Sequence, residues 1–539
     1  MINRRSFLAG VGAAAVTVAT PAGGSASVSG RSPRGMWQSS IVSRSGGTLA
    51  YVRDSEGNRV PDFSRAGYRS GPAEPAHVPA AITVQPVAGD NAAHLQAAID
   101  SVGALPVGPD GFRGAVQLAP GVYELAGTLR LRHSGVVLRG SGDGDDPAEN
   151  TILRAVGVDP ARGVVVMVGK GPGAEWKDVL SGSRIDITSD LVQVAEDTFT
   201  LASAGSLVPG SQIIVEHPCT QAWLDAIGGG GTATDAPWSV GLLPIRFHRY
   251  VEDLDGTTVR LDAPVFNHLD RSLSQCSVYQ LADPSVVREV GVENLRVDVE
   301  IYTDPDVNGA HAKVAIRLHG AENAWVRDCT MVHFGFAGVE TIEATRSTIE
   351  RCRALDPASA ITGGDRYNFN VARNSQLILF RDCHARAGRH SYVSNGTSTV
   401  SGIVFQRCVS EGSLNASQPH RQWSQGMLYD QHREVDPVFS VTLTLHNRGD
   451  FGTGHGWTTA HSVAWNCDVA GTTLVVQKPP TAQNYAIGCQ GNVTGVGSFV
   501  QPAGWIEGVN QPGLCPESLY AAQTAAAARS RGAGRRPFA

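Results

Sequence analysis

The stretch Ser347-Thr348-Ile349-Glu350-Arg351-Cys352 returns in altered form as Leu377-Ile378-Leu379-Phe380-Arg381-Asp382-Cys383 and as Gly402-Ile403-Val404-Phe405-Gln406-Arg407-Cys408. Earlier versions are Val292-Glu293-Asn294-Leu295-Arg296-Val297 and Glu322-Asn323-Ala324-Trp325-Val326-Arg327-Asp328-Cys329, and Ser462-Val463-Ala464-Trp465-Asn466-Cys467 closes the set. From Cys329 to Cys408 the cysteines step by 23, 31 and 25 residues. A period of roughly 20–50 residues means stacked units, none of which can bury its apolar row alone. Stacking puts Cys on Cys and aliphatic on aliphatic, and the longer steps place inserted loops at one corner, where binding faces form. The pattern predicts an all-β chain, a single-stranded, right-handed parallel β-helix.

Outward from the repeats, Asp90 or Asn91 is suited to cap a helix with Ala92, Leu95, Ala98 and Ile99 on its apolar face. Gly114–Tyr123 reads as strand, tight turn, strand, and two more short strands follow at Thr128–Leu131 and Gly135–Gly140. This reads as the capped entry of the solenoid. Residues 175–285 break the rhythm and read as an inserted small β-unit, with Trp223, Trp238, Arg246 and His248 as a candidate cleft wall. The expected organisation is a signal peptide at 1–27, an N-terminal extension at 28–80, the start of the β-helix at 81–174, the insertion at 175–285, the main β-helix at 286–515 and a disordered tail at 516–539.

The chain has 539 residues, 17% charged and 42% hydrophobic, with 62 glycines and a net charge of -6. No basic surface follows, so nucleic acid is a poor partner. Asn3-Arg4-Arg5-Ser6-Phe7-Leu8 before the apolar run Ala9–Ala22 reads as a twin-arginine export signal, which implies a secreted or periplasmic protein. No other span is apolar enough for a membrane helix. Of nine cysteines, Cys329, Cys352, Cys383 and Cys408 read as a buried thiol stack, and Cys489 with Cys515 is the candidate disulfide. A monomer is the default for this shape.

Chemistry concentrates in four segments in or beside the repeats: His311-Ala312-Lys313, Asp365-Arg366-Tyr367, Gly388-Arg389-His390-Ser391-Tyr392 and Pro419-His420-Arg421-Gln422-Trp423. Gly454-His455-Gly456-Trp457 extends the row. Guanidinium groups fork onto carboxylates, imidazole moves protons near neutral pH, and aromatic rings pack on sugar faces. The residue types suit an anionic glycan cleaved by β-elimination. That reaction needs positive charge for the enolate, a base for the proton alpha to the carboxylate, and an acid for the leaving oxygen. Arg366, Arg389 and Arg421 are candidates for the carboxylate, His390 or His420 for base or acid, and Tyr367 or Tyr392 for the leaving group. The catalytic set is Arg389, His390, His420, Arg421 and Tyr367. The binding set is Arg366, Lys313, His311, Tyr392, Trp423, His455 and Trp457. A glycoside hydrolase, or glycosyl-transferring enzyme, is the alternative; it needs two carboxylates, from Asp365, Asp430, Glu340 and Glu343. A non-catalytic glycan-binding solenoid is the third reading. No cofactor or metal site is expected, since no paired metal-ligand spacing occurs at these segments.

The entry region, with Gly89-Asp90, Ala97-Ala98-Ile99-Asp100 and Pro120-Gly121-Val122-Tyr123, resembles the pectate-lyase superfamily of parallel β-helix proteins. Pro61-Asp62-Phe63-Ser64-Arg65-Ala66-Gly67-Tyr68, Gly388-Arg389-His390, Pro419–Ser424, Gly454–Trp457 and Gln483–Cys489 resemble a bacterial and fungal branch of it, over roughly residues 50–510. The resemblance implies the fold and a carbohydrate-directed activity, since the scaffold hosts lyases, hydrolases and transferases alike. It also implies that calcium is possible. Asp143-Gly144-Asp145-Asp146 is acidic and Gly-rich but reads as a generic turn, and nothing matches the acidic calcium cluster of typical pectate lyases.

Overall fold

Each repeat carries one residue held in the left-handed backbone region: Asn294, Asp328, Arg351, Asp382, Arg407 and Asn466, all with φ between 49° and 55°. One such residue between two extended ones bends the chain sharply, at a cost of roughly 1–2 kcal/mol for a non-glycine. The residue after the bend therefore faces inward. In the computed structural model, which describes residues 35–45, 48–157, 163–173, 176–232, 237–302 and 311–532, these bends form one corner of a three-sided parallel β-helix. One coil runs through Ala337–Thr345, Thr348–Glu350 and Arg353–Leu355. The next runs through Phe369–Val371, Leu379–Arg381 and His384–Arg386, each strand parallel to its counterpart. The proposed signal segment, residues 1–27, lies outside the described residues. No helix among the described residues is long and apolar enough to cross a membrane.

The thiol stack forms as the spacing predicts. Leu295 pairs with Cys329, and the register carries Cys352, Cys383 and Cys408 onto the same column, all nearly or fully inaccessible. Cys352 shows why cysteine fits. Its thiol reaches Glu350 O at 3.3 Å in its own coil and Val326 O at 3.5 Å in the preceding one. Burial raises the Cys329, Cys352 and Cys383 thiols well above their ordinary range, so they remain thiols. All nine cysteines are free, so the Cys489–Cys515 bridge does not form; Cys489 instead sits in the lumen. The column also contains a residue that cysteine spacing cannot show. His432 stands between Cys408 and Cys467, and its Nε2 meets Glu434 Oε1 at 2.8 Å. Glu434 also accepts from Ser413, and both members of the His–Glu pair have fully buried side chains.

The helix Ala92–Gly103 covers the entry end with Leu95, Ile99 and Val102. Asp90 Oδ1 accepts from the Ala92 and Ala126 amides. The insertion is a six-stranded antiparallel unit that includes Gln212–His217 and Ile245–Asp255. It packs on the solenoid through a second apolar core holding Phe63, Trp223, Trp238, Phe266, Leu377, Leu379, Trp423 and Trp457. The expected cleft wall is therefore interior. Trp223 and Trp238 are core residues, Arg246 pairs with Glu216 at 2.7 Å, and His248 meets Arg346 at 3.1 Å.

Within the tail expected to be disordered, 516–539, the helix Leu519–Gly532 forms instead, and residues 533–539 lie outside the described residues. Asp430 caps it from the solenoid: its carboxylate accepts the Ser518 hydroxyl at 2.6 Å and the Leu519 and Tyr520 amides at 3.1 and 3.0 Å. The segment Pro61–Tyr68 straps this helix down, with Tyr520 donating to Ala66 O at 2.6 Å and Gln523 accepting from the Phe63 amide at 2.9 Å. That stretch of the family resemblance is thus structural.

Candidate functional site

The first strand of successive coils forms one outer face, and the loops at one edge of it carry the chemistry. The Tyr367 amide donates to Phe336 O at 2.6 Å, and the Arg389 amide donates to Arg366 O at 2.9 Å. The loops are therefore stacked in the same register as the strands. Their rings form a row along the solenoid axis. Centroid distances are 5.2 Å for Phe336–Tyr367, 5.2 Å for Tyr367–His390, 4.8 Å for His390–His420 and 4.9 Å for His420–His455. Tyr367, His390, His420 and His455 line the floor, each under a tenth exposed. Arg366, Arg389, Arg421 and Lys313 are partly exposed around them. Lys313 and His311 both lie against Gly335, at the Phe336 end of the row.

The neighbours of the two central histidines fix their tautomers. His390 Nδ1 lies 2.7 Å from Ala416 O, and a carbonyl only accepts, so Nδ1 carries the proton. Its Nε2 keeps the lone pair, is buried, and has no hydrogen-bond partner among the described residues. His420 is the reverse. Arg448 Nη1, which only donates, lies 2.9 Å from His420 Nδ1, so its proton sits on Nε2. Gln418 stands between the rings, with its amide nitrogen 3.2 Å from His390 Nδ1 and 3.4 Å from His420 Nδ1, and its carbonyl accepts from Thr444 at 2.9 Å.

Burial is the main cause that holds every imidazole here neutral. It brings His390 down to about 3, aided by the Arg389 and Arg448 charges and opposed by the Ala416 carbonyl. Burial, then His390 and Arg448, drives His420 far below the usual range. Burial, then Arg448 and Arg421, brings His455 to about 4. Arg448 itself falls to about 10, again first through burial. An anion entering this site would meet concentrated positive charge with little water to screen it.

Three expected binding residues lie elsewhere. Tyr392 points into the lumen, stacked on Phe369 at 5.2 Å, with its hydroxyl 2.8 Å from both Cys383 O and Val409 O and its one proton shared between them. Trp423 and Trp457 are in the second core, and the Trp423 indole donates to Asn267 Oδ1 at 3.1 Å. Sequence reasoning missed Arg448 and Gln418. Only the high polar density just before Gly454-His455-Gly456-Trp457 pointed to the former. Of the hydrolase carboxylates only Asp365, whose charge acts on His311 and Arg366, lies at the row. Asp430 caps the C-terminal helix, Glu340 is ion-paired to Arg317 at 2.5 Å, and Glu343 lies 3.7 Å from both His319 and Arg373. Glu340 stands three coils from Gln418, about 14 Å at ~4.8 Å per coil.

The calcium implied by the family resemblance does not fit these residues. The row offers imidazoles and guanidiniums, whereas calcium requires several carboxylate or carbonyl oxygens. Among the described residues no group of three or more His, Cys, Asp or Glu is placed to hold a metal ion. Asp143, in the acidic turn, is engaged by Thr330 at 2.7 Å and Arg353 at 3.0 Å.

Fold and site together define the class: a parallel β-helix with an antiparallel insertion and a cationic, imidazole-lined outer face. No family model matches the chain. No curated protein matches it either. Solved structures show partial likenesses. The tailspike of Pseudomonas phage LKA1 is 15% identical with a TM-score of 0.42, over 75% of this chain and 64% of that one. The chain thus spans just under two thirds of the tailspike's length. An alginate lyase from Paenibacillus is 11% identical with a TM-score of 0.38, over 81% and 99%. A mannuronan C-5 epimerase module from Azotobacter vinelandii is 13% identical with a TM-score of 0.29, over 78% and 95%. At these identities the likeness concerns the fold alone.

Proposed function

We propose that the chain is an exported polysaccharide lyase that cleaves a uronate-containing glycan by β-elimination. The observation that carries this reading is the row itself. His390, His420 and Tyr367 converge beneath Arg389, Arg421 and Arg448, with no carboxylate pair among them. Arg389 and Arg421 neutralise the uronate carboxylate and stabilise the enolate formed when the alpha proton leaves. His390 Nε2, with its lone pair free, takes that proton. Burial first, and then the surrounding cations, depress its basicity, and a bound carboxylate raises it by cancelling part of the local positive field. The Tyr367 hydroxyl, which Arg389 Nη1 approaches to 3.5 Å, gives its proton to the departing glycosidic oxygen as the carbon–carbon double bond forms. His420, neutral with Nε2 protonated, donates a hydrogen bond and carries no charge. Arg448 and Gln418 hold it in that tautomer.

The test is product analysis on a panel of uronate polymers. Elimination leaves an unsaturated, ultraviolet-absorbing end, 18 Da lighter than the hydrolytic product. Reducing ends without unsaturation would move the assignment to a hydrolase. Binding without turnover, insensitive to R389A and H390A, would make the chain a glycan-binding solenoid.

A further inference from the structure

The loop that carries His455 also carries Phe451, one member of a second aromatic pair. The short segment Asn447–Trp457 carries Arg448 and His455 into the site and turns Phe451 outward, 46% exposed. The connection is tight: the Phe451 amide donates to Arg448 O at 2.9 Å, and the His455 amide donates to Phe451 O at 3.3 Å. Gly452, beside Phe451, lies so close to the His455 ring that a Cβ would overlap it. Phe451 in turn meets Phe499 edge-on, with centroids 5.0 Å apart and planes at 71°. Val496 and Val500, on the same loop as Phe499, are 79% and 97% exposed.

An exposed apolar group at a loop tip is commonplace, but this one is built. Gly449 has φ 47° and leaves no room for a Cβ, because the Phe499 ring occupies that space. Gln477, fully buried, ties the two loops together. Its Oε1 accepts from the Asn447 amide at 3.0 Å, and its Nε2 donates to Gly495 O at 3.1 Å and Phe499 O at 2.9 Å. An aromatic pair fixed in this way has little conformational entropy left to lose on binding.

We propose that Phe451 and Phe499 form a stacking platform for a pyranose ring of the substrate chain, in a subsite next to the His455 end of the catalytic row. One face of a pyranose presents mainly C–H groups, which pack on an aromatic ring with displacement of water. Successive rings of the row are about 5 Å apart, close to the ~4.8 Å rise per coil, so the row runs along the solenoid axis and a glycan laid on it follows that axis. The orientation places the scissile bond over His390 and an uncleaved sugar over Phe451. The direction of the chain on the face rests on the reading of His390 as the catalytic base; the platform itself does not.

Affinity electrophoresis separates the two. The H390A chain, alone and combined with F451A, F451W or F499A, is run through gels cast with alginate, polygalacturonate, hyaluronan or a neutral mannan. Apparent Kd is taken from retardation, and thermal midpoints are recorded alongside. F451A and F499A should weaken binding roughly tenfold in the gel that retards H390A, with unchanged thermal midpoints and with F451W restoring it. Undiminished retardation of F451A would overturn the platform and leave the lyase reading intact. Retardation in mannan alone, lost in F451A, would uphold the platform and defeat the uronate assignment. No retardation of H390A in any gel would overturn it, as would concentration-dependent self-association abolished by F451A.

Discussion

Replacing His432 by cysteine gives the lumen column the residue present one coil before and one coil after, yet the structure requires it to be damaging. Glu434, whose side chain is fully buried, has two side-chain partners: His432 Nε2 at 2.8 Å and the Ser413 hydroxyl. H432C removes one of them and leaves a carboxylate in an apolar lumen beside Tyr392 and Tyr429, whose rings pack on His432 at 5.4 and 5.9 Å. Breaking a buried pair in this way costs about 3–5 kcal/mol, whereas replacing both members by apolar groups is often neutral. The register supplies the second replacement. Glu434 pairs with Ser410, which pairs with Ala385, so alanine already belongs in its column. H432C/E434A should therefore recover at least about 2 kcal/mol of the loss from H432C, the remaining deficit reflecting the cavity. The assay is urea unfolding followed by far-ultraviolet circular dichroism on parent, both single variants and the double variant. Parent-like stability of H432C, or a double variant no more stable than H432C, would refute the claim that the lumen holds a coupled pair.

Y367F and Y392F should split cleanly. Y367F should keep its unfolding midpoint and lose on the order of 100-fold in kcat/KM, whereas Y392F should lose about 1–3 kcal/mol of stability with kcat/KM near that of the parent. Acid should destabilise the chain from below pH 6.5. His390 and His446 are held at about 3, and His217 and His455 at about 4, in every case first by burial. These pKa values are depressed, so the unfolded chain takes up protons first. The associated stability is fully present above pH 6.5 and is lost as pH falls. At pH 5 each such group costs about 2 kcal/mol, so a urea midpoint unchanged between pH 7.5 and pH 5 would contradict the burial. D430A should uncap the C-terminal helix at a cost of about 1–2 kcal/mol, seen as faster tryptic cleavage at Arg529.

The sequence by itself determined the solenoid. In a parallel stack each inward column repeats one residue type, so the cysteine spacing reports register directly. It also supplied most of the candidate site, because loops inserted at equivalent points of successive coils land on one another, and Tyr367, His390, His420 and His455 do so. Tertiary structure alone decided which side chains turn outward. His390 precedes the strand Tyr392–Ser394, and the chain turns a corner between the two residues. A two-residue spacing that would keep both on one face within a strand sends the histidine out and the tyrosine in. Trp423 and Trp457, which follow site candidates closely in the chain, are claimed by the insertion, whose apolar face must be buried against the solenoid. Arg448 acquires a role only when folding brings it beside His420, and Gln418, two residues from His420 in the chain, only when folding sets it against His390 as well. The tautomers of His390 and His420 follow from the same cause, since a carbonyl and a guanidinium delivered by other coils determine where each proton sits.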